Sequence, residues 1–412
     1  MCNWSWVAAT AKSHSRPARG SQRELLGGSK TRLTQVATEG LGVFLHLIAP
    51  DKKFVVQIRS LFEAAAPGRN EYLFVGTPEA GYDLPQGVNA LRDPSAFPSV
   101  LGGRSDWEGV VVHGLPFQVV RSMVDAIPSV LAIAWYVWGF EAYLYWPPLK
   151  RDLLMPETRR VERRLAGPTW RRYLRPWRLA SSSGRDMPRV ASRYRFCVAP
   201  FREEHSLFAA TGLLQHTQFH WGSYGSLEDY VDSEAEVAWG EDCQLGNSAS
   251  FTSNHLDALP LLRGAGQRYR NVVVPLSYGN PRYRDAVVAA GHEQLGERFH
   301  PLVDFVSPSE YQDLLQSCGH VVMNHRRQQA WGNILAALWR GADVYLNDTT
   351  VYQALRRLGF DARLIQESCS QDGQLALRGF SQAQAERVLS RNRRRAAGKD
   401  REPTRQVACC LA

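Results

Sequence analysis

One short stretch of the chain combines small polar residues with the start of a helix. Gly246, Asn247 and Ser248 end an apolar segment, and a helix-like run begins near residue 256. A strand that turns through small residues into a helix exposes backbone N–H groups at the positive end of that helix. Such groups bind phosphate, so the pattern predicts a phosphate-binding turn. An ordinary helix N-cap of any α/β protein has the same pattern.

A second polar cluster lies later in the chain, between an apolar strand and an apolar helix. Arg327, Gln328 and Gln329 carry long side chains with many hydrogen-bond donors, and Gly332 follows near the helix start. Guanidinium and amide groups at such a junction are suited to clamp a diphosphate and a sugar. The alternative is a solvated connecting loop.

A third strand, 271–276, runs into a loop punctuated by proline and glycine. Loops at the carboxyl ends of strands are where open α/β sheets bind ligands. The chain has neither the Gly-x-Gly-x-x-Gly of nicotinamide sites nor a Gly-Lys-Ser/Thr phosphate loop at these positions. The predicted nucleotide-sugar-binding residues are Gly246, Asn247, Ser248, Asn254, His255, Ser277, Tyr278, Arg327, Gln328, Gln329, Gly332 and Asn333.

Two residues of the first half are candidates for acid–base chemistry. His113 and Glu141 both follow strand-like segments and are expected to face the same cleft. Glu141 is the candidate general base for a hydroxyl nucleophile, and His113 would assist or orient it. For either residue, a structural, hydrogen-bonded role is the alternative. The neighbouring pair Glu203 and Glu204 is predicted to consist of surface charges.

The positive charge of the chain is concentrated rather than spread. The 412 residues carry a formal net charge of +9, and residues 150–178 alone hold ten basic against three acidic residues. Aromatic and apolar residues are interleaved with these charges, which favours an anionic membrane surface or a nucleic acid as partner. The candidate contact residues are Arg159, Arg160, Arg163, Arg164, Trp170, Arg171 and Arg172.

The seven cysteines show no metal-ligand spacing, which favours a reducing compartment. No Asp-x-Asp pair is present to hold a divalent ion on a diphosphate, so we expect no metal and no cofactor. No run of 18 apolar residues is present, so we expect no membrane-spanning helix.

Strand and helix patterns alternate along the chain, and the alternation restarts after about residue 236. This order predicts an α/β protein with two Rossmann-like, doubly wound domains facing a cleft. The expected boundaries are a disordered or wrongly assigned extension at 1–40, a first Rossmann-like domain at 41–235, a second at 236–376, and a helix with a basic tail at 377–412.

The order of several short pieces carries a resemblance to a known family. The pieces are Gly246-Asn247-Ser248 with Asn254 and His255, residues 273–278, residues 311–318 running into 327–332, residues 344–347, His113-Gly114 and Trp138-Gly139-Phe140-Glu141. In these pieces the chain resembles the bacterial N-acetylfucosamine transferases of glycosyltransferase family 56, over roughly residues 43–375.

The resemblance implies a GT-B-like fold and a metal-independent hexosyltransferase. In that fold, residues 41–235 would form the acceptor- and membrane-facing domain and residues 236–376 the nucleotide-sugar-binding domain. It implies a dTDP-activated amino-deoxy sugar as donor and a polyprenyl-diphosphate-linked glycan as acceptor, as in the synthesis of enterobacterial common antigen. The enzyme would work as a peripheral protein on the cytoplasmic face of the bacterial inner membrane, with an anionic membrane surface and no nucleic acid as partner. Two other classes stay open: a nucleotide-sugar enzyme without a lipid acceptor, such as an epimerase, and a non-catalytic nucleic-acid-binding protein.

Overall fold

The structure is a computed structural model of the chain. It describes residues 42–78, 81–115, 117–166, 186–214, 216–223, 240–264, 269–305 and 308–378, together with residues 386 and 390. The predicted extension at 1–40 and nearly all of the predicted basic tail lie outside these residues.

The first half of the chain forms a parallel sheet of seven strands in the order β3-β2-β1-β4-β5-β6-β7. The strands are β1 (Val43–Ile48), β2 (Asn70–Val75), β3 (Val88–Leu91), β4 (Trp107–His113), β5 (Ala132–Tyr136), β6 (Tyr194–Ala199) and β7 (Gln218–Trp221). The helices are α1 (Lys52–Ala65), α2 (Phe97–Gly102), α3 (Phe117–Ala126), α4 (Phe140–Tyr143), α5 (Pro147–Lys150), α6 (Pro156–Leu165) and α7 (Arg202–Ala210).

The second half repeats the arrangement with six parallel strands in the order β10-β9-β8-β11-β12-β13. The strands are β8 (Cys243–Leu245), β9 (Val272–Pro275), β10 (Phe299–Leu302), β11 (His320–Met323), β12 (Asp343–Leu346) and β13 (Ala362–Leu364). The helices are α8 (His255–Arg263), α9 (Pro281–Leu295), α10 (Pro308–Gln316), α11 (Trp331–Trp339) and α12 (Thr350–Arg357). The predicted architecture of two doubly wound domains is confirmed.

Both sheets are buried on both faces, which explains their nearly continuous apolar strands. Leu45 and Leu47 of β1 belong to one core cluster, whereas Ile48 belongs to the cluster on the other face of the sheet. In the second sheet, Val322 faces one core and its neighbours Val321 and Met323 face the other. This alternation follows from the two-residue repeat of a strand.

Helix α6 departs from the simple division of the chain into halves. It precedes β6 of the first sheet, yet its apolar residues Val161 and Leu165 pack against the core of the second domain. Asp257 of α8 accepts hydrogen bonds from the backbone N–H groups of Glu157 (2.8 Å) and Thr158 (2.9 Å). The carboxylate therefore caps the first turn of α6, a favourable place for a negative charge. The basic helix is thus attached to the second domain, although the sequence assigns it to the first.

In the described part of the chain, no helix combines the length and the apolar character needed to cross a membrane.

Candidate functional site

Three of the predicted motifs meet at the carboxyl edge of the second sheet. Asn247, after β8, donates to the Tyr278 hydroxyl after β9 (3.0 Å). Gln329, after β11, donates to the Asn247 side-chain oxygen (3.2 Å) and accepts from the Thr252 hydroxyl (2.6 Å). Tyr278 is 49% exposed, so this polar network reaches solvent. Carboxyl ends of parallel strands lie along one edge, which is why residues far apart in sequence come together here.

The start of α11 is a candidate anion-binding position at this edge, because no side chain caps it. Its N-cap, Ala330, has a left-handed backbone (φ 60°) and no side chain able to cap the helix. A non-glycine residue in this conformation costs roughly 1 kcal/mol or more, and such strain concentrates at functional sites. The N–H groups of Trp331, Gly332 and Asn333 begin the helix, where backbone donors and the helix dipole attract anions.

Charged and polar side chains flank this helix start. Arg327 is half-buried in the loop before α11, and its Nη1 donates to the Gln328 carbonyl (2.7 Å). Asn333 accepts from the hydroxyl of Tyr311 in α10 (3.3 Å). The first domain approaches closely, since a Cβ added at Gly139 would lie 2.9 Å from the Gln328 side-chain oxygen. The site therefore lies where the two domains meet.

The start of α8, by contrast, is covered by other side chains and by the segment before α6. The backbone N–H of His255 donates to the Tyr283 hydroxyl (3.1 Å). Asn254 is fully buried and exchanges hydrogen bonds with the segment before α6, accepting from the Met155 N–H (2.8 Å) and donating to the Leu153 carbonyl (3.0 Å). Asn254 and His255 were predicted to bind the nucleotide sugar, but this placement gives them no exposed surface.

Gly246 has a packing role in the same turn. It adopts φ 66°, and an added Cβ would lie 2.3 Å from the His255 Nε2 atom. Burial lowers the pKa of His255 to about 3, so the ring is neutral at physiological pH. Ser248 is buried as well, and its carbonyl accepts from the Ser253 hydroxyl (3.1 Å). Ser277 is half-buried in the loop after β9.

A chain of buried amides fixes the loops after β11 and β12. Asn324 donates to the Asn254 carbonyl (3.0 Å), and Asn347 donates to the Asn324 side-chain oxygen (2.9 Å). Gln366, which is exposed, extends the chain by donating to the Asn347 side-chain oxygen (2.8 Å). Hydrogen-bonded amides of this kind hold the loop that carries Arg327 and Gln329 in one conformation.

The two candidate acid–base residues lie apart from each other, on opposite faces of the first sheet. Glu141 is 2% exposed, and its Oε1 accepts from the Trp138 N–H (2.7 Å) and the Trp135 indole N–H (3.2 Å). Burial raises its pKa to about 7. His113 is fully buried, with its Nε2 3.0 Å from His46 Nδ1, and burial lowers its pKa. The expectation that both face one cleft is wrong for these positions.

A buried polar bridge between the domains was not predicted. Glu204 of α7 is 1% exposed and accepts from the hydroxyls of Tyr143 (3.1 Å) and Thr350 (2.5 Å). The prediction of a surface charge is therefore wrong for Glu204. Burial raises its pKa to about 7, while hydrogen bonds and the nearby Arg327 act in the opposite direction. The signal was available, because Phe201, Glu204 and Phe208 share one helical face by their spacing.

The arginines of the basic helix α6 differ in whether they contact other groups of the protein. Arg159 donates to two backbone carbonyls, and Arg160 pairs with Glu157 at 3.0 Å, whereas Arg163 and Arg164 are exposed. Trp170, Arg171 and Arg172 lie outside the described residues. Among the described residues, no cluster of three or more histidine, cysteine or acidic side chains is arranged to hold a metal ion.

The architecture is shared with several solved structures. The N-terminal domain of a Candida albicans trehalose-6-phosphate phosphatase matches with a TM-score of 0.54 and 10% identity, over 94% of this chain and 98% of that chain. A UDP-forming α,α-trehalose-phosphate synthase from Burkholderia xenovorans matches with a TM-score of 0.51 and 7% identity, over 90% and 95%. A glycosyltransferase from Rickettsia africae matches with a TM-score of 0.51 and 7% identity, over 90% and 93%.

No protein-family model matches the chain, and a search of curated protein sequences also found no match. At these identities the structural matches establish the fold alone. The chain has the GT-B fold, with two Rossmann-like domains that each contain a parallel sheet.

Proposed function

We propose that this protein is a glycosyltransferase that takes its sugar from a nucleoside-diphosphate donor. The observation that carries the proposal is the uncapped start of α11, with Arg327 in the loop before it and the Asn247–Tyr278–Gln329 network beside it. Backbone N–H groups, a guanidinium and amides suit a diphosphate attached to a sugar. A solved structure of the same fold is named as a UDP-forming synthase, which supports a nucleotide product.

In the reaction, an acceptor hydroxyl oxygen forms a bond to the anomeric carbon while the bond from that carbon to the diphosphate breaks. The nucleoside diphosphate leaves with additional negative charge. The first-turn N–H groups of α11 and the Arg327 guanidinium would stabilise that charge without reorganising during the step. The proton of the acceptor hydroxyl has to pass to a base near the site.

We propose Asp51 as that base, in place of Glu141. Asp51 lies in the loop after β1 and is only partly buried, whereas the Glu141 carboxyl is enclosed. Its charge raises the pKa of the Tyr278 hydroxyl, although burial is the main cause of that rise. The Asp51 carboxylate thus lies within electrostatic reach of Tyr278. Asp51→Asn should abolish transfer but leave nucleotide affinity within about twofold; full transfer would return the role to another residue.

The finer assignment rests on the family resemblance. It predicts a dTDP-linked amino-deoxy sugar as donor, a polyprenyl-diphosphate-linked glycan as acceptor and a place on the inner face of the bacterial inner membrane. The exposed arginines of α6 support this location, since each basic residue near an anionic surface contributes about 1 kcal/mol to attachment. The acceptor's long lipid would then be supplied from the membrane.

Nucleotide binding is the first test of the activity. Isothermal titration with dTDP, UDP, GDP, NAD and ATP in the presence of EDTA should give binding of a pyrimidine nucleoside diphosphate, with dTDP preferred. Binding of NAD alone would favour an epimerase-like enzyme, and no binding of any nucleotide would remove the transferase proposal. Preference for UDP would support the proposed reaction with a UDP-sugar as the donor in place of a dTDP-sugar.

Membrane attachment is tested separately with anionic vesicles. Replacing Arg163 and Arg164 by glutamine should reduce sedimentation with phosphatidylglycerol vesicles at least about fivefold. The matched control replaces Arg92 and Arg195, two exposed arginines of the first domain, and should sediment like the unaltered protein. Equal losses in both variants would mean that α6 is no specific contact.

A further inference from the structure

Two buried polar atoms that lack a hydrogen-bond partner lie on facing sides of the domain interface. They are the Oε1 atom of Glu204, on α7 of the first domain, and the Nε atom of Arg327, in the loop before α11 of the second. Buried polar atoms of native proteins are almost always paired. One is a carboxylate acceptor and the other a guanidinium donor, so a single hydrogen bond between them would satisfy both.

The two groups already interact electrostatically. Burial is the main cause of both shifts: it raises the pKa of Glu204 and lowers the pKa of Arg327. The charge of each group acts on the pKa of the other in the opposite direction. They form no direct ion pair in the described structure, because no hydrogen bond or close charge contact joins them. The guanidinium is therefore held near the carboxylate and keeps donors available for another anion.

The carboxylate itself is fixed from both domains. Its other oxygen, Oε2, accepts from Tyr143 of α4 in the first domain and from Thr350 at the start of α12 in the second. The adjacent Glu203 pairs with Arg357 of α12 at 2.5 Å. Phe201, the N-cap residue of α7, packs its ring on Trp331 of α11 with the ring centroids 4.6 Å apart. Glu204 is thus rigidly placed beside the loop that carries Arg327.

We propose that Glu204 is a positioning residue for donor binding: its fixed carboxylate orients Arg327 across the domain interface toward the diphosphate. This inference rests on the proposed function. In this way a residue of the first domain contributes to binding the donor that the second domain holds. It also gives a reason for burying a carboxylate at an interface that apolar residues would stabilise more simply.

The test is a double-mutant cycle read out as dTDP affinity by titration calorimetry on the full chain. Glu204→Gln keeps the size of the side chain and should weaken dTDP binding about 10- to 100-fold, the range of a charge-assisted hydrogen bond. If Glu204 acts through Arg327, the double variant Glu204→Gln/Arg327→Ala should bind no more weakly than Arg327→Ala alone. Glu293→Gln, at an exposed glutamate of α9, is the control and should bind like the unaltered protein.

The outcomes separate this inference from the proposed function. Absence of dTDP and UDP binding by the unaltered chain would overturn both. Normal binding by Glu204→Gln, or additive losses in the double variant, would overturn only the positioning role. If Glu204→Gln does not fold, as judged by circular dichroism, Thr350→Val takes its place, since it removes one bond to the carboxylate and keeps the charge. It should weaken binding about threefold or more, and unchanged affinity would count against the inference.

Discussion

Two helices that begin at the carboxyl edge of the second sheet, α8 and α11, differ in whether other parts of the protein cover their first residues. At α8, the N–H of His255 is bound by Tyr283, and Asn254 is enclosed by the segment that leads into α6. At α11, Ala330 offers no capping side chain, and a polar loop surrounds the helix start. Both follow a strand and both were predicted as anion sites. The difference teaches that a helix start becomes a binding site only where no other element of the fold covers it.

The largest expected effect is at the open helix start. Arg327→Ala should weaken dTDP binding about 100-fold, because a charge-assisted contact to a diphosphate is lost in a half-buried site. Arg326→Ala, the exposed neighbour, is the matched control and should bind normally. Titration calorimetry measures both. Equal affinities for the two variants would contradict the claim that the start of α11 and Arg327 bind the diphosphate.

Lowering the pH should reduce the stability of the folded protein through His255, at the covered start of α8. His255 has a folded-state pKa of about 3, below the ordinary 6.5, so between these values the unfolded chain binds a proton that the folded chain does not. The stability that the neutral ring contributes is therefore present above about pH 6.5 and is lost as pH falls, by about 1.4 kcal/mol per pH unit. Chemical denaturation of His255→Gln should show a smaller loss between pH 6.5 and 5 than the unaltered protein. Parallel curves would mean that His255 titrates normally.

Removing the Tyr283 hydroxyl, which contacts the first N–H group of α8, should lower the stability of the protein without changing its affinity for dTDP. Tyr283→Phe deletes the hydroxyl that accepts from His255, and the free energy of unfolding should fall by about 1–2 kcal/mol. Its affinity for dTDP should stay within about twofold of the unaltered protein. A large loss of affinity would show that α8 also serves the ligand.

The smallest effect is expected from relief of strain at α11. Ala330→Gly suits the left-handed backbone and should raise the free energy of unfolding by up to about 1 kcal/mol. Nucleotide affinity should change little, because the helix start keeps its N–H groups. Thermal unfolding measures the gain, and a loss of stability would mean that Ala330 is not strained.

Sequence patterns predict the fold well because most strands are nearly continuous apolar runs. The apolar residues of β1, β4, β9 and β11 predict strands in this way, whereas β3 and β10 lack such a run. β3 is a four-residue edge strand with two exposed residues, and β10 contains a histidine and a proline. Such edge strands carry a weak apolar signal.

The site was predictable in part, because polar residues after parallel strands must share one edge. Asn247, Tyr278 and Gln329 were named from sequence and lie in one network. What a sequence does not reveal is which strand end is covered. His113 ends β4 and Glu141 follows β5, but both lie enclosed in the first domain. Glu204 escaped prediction because its partners Tyr143 and Thr350 lie 61 and 146 residues away.

The most direct test of the account is a crystal structure of the complex with dTDP, grown in the presence of EDTA. We predict that the diphosphate lies at the start of α11, within hydrogen-bond distance of the Gly332 or Asn333 backbone N–H and of the Arg327 guanidinium. A diphosphate bound at the Gly246 turn and the start of α8, with α6 displaced, would contradict the account.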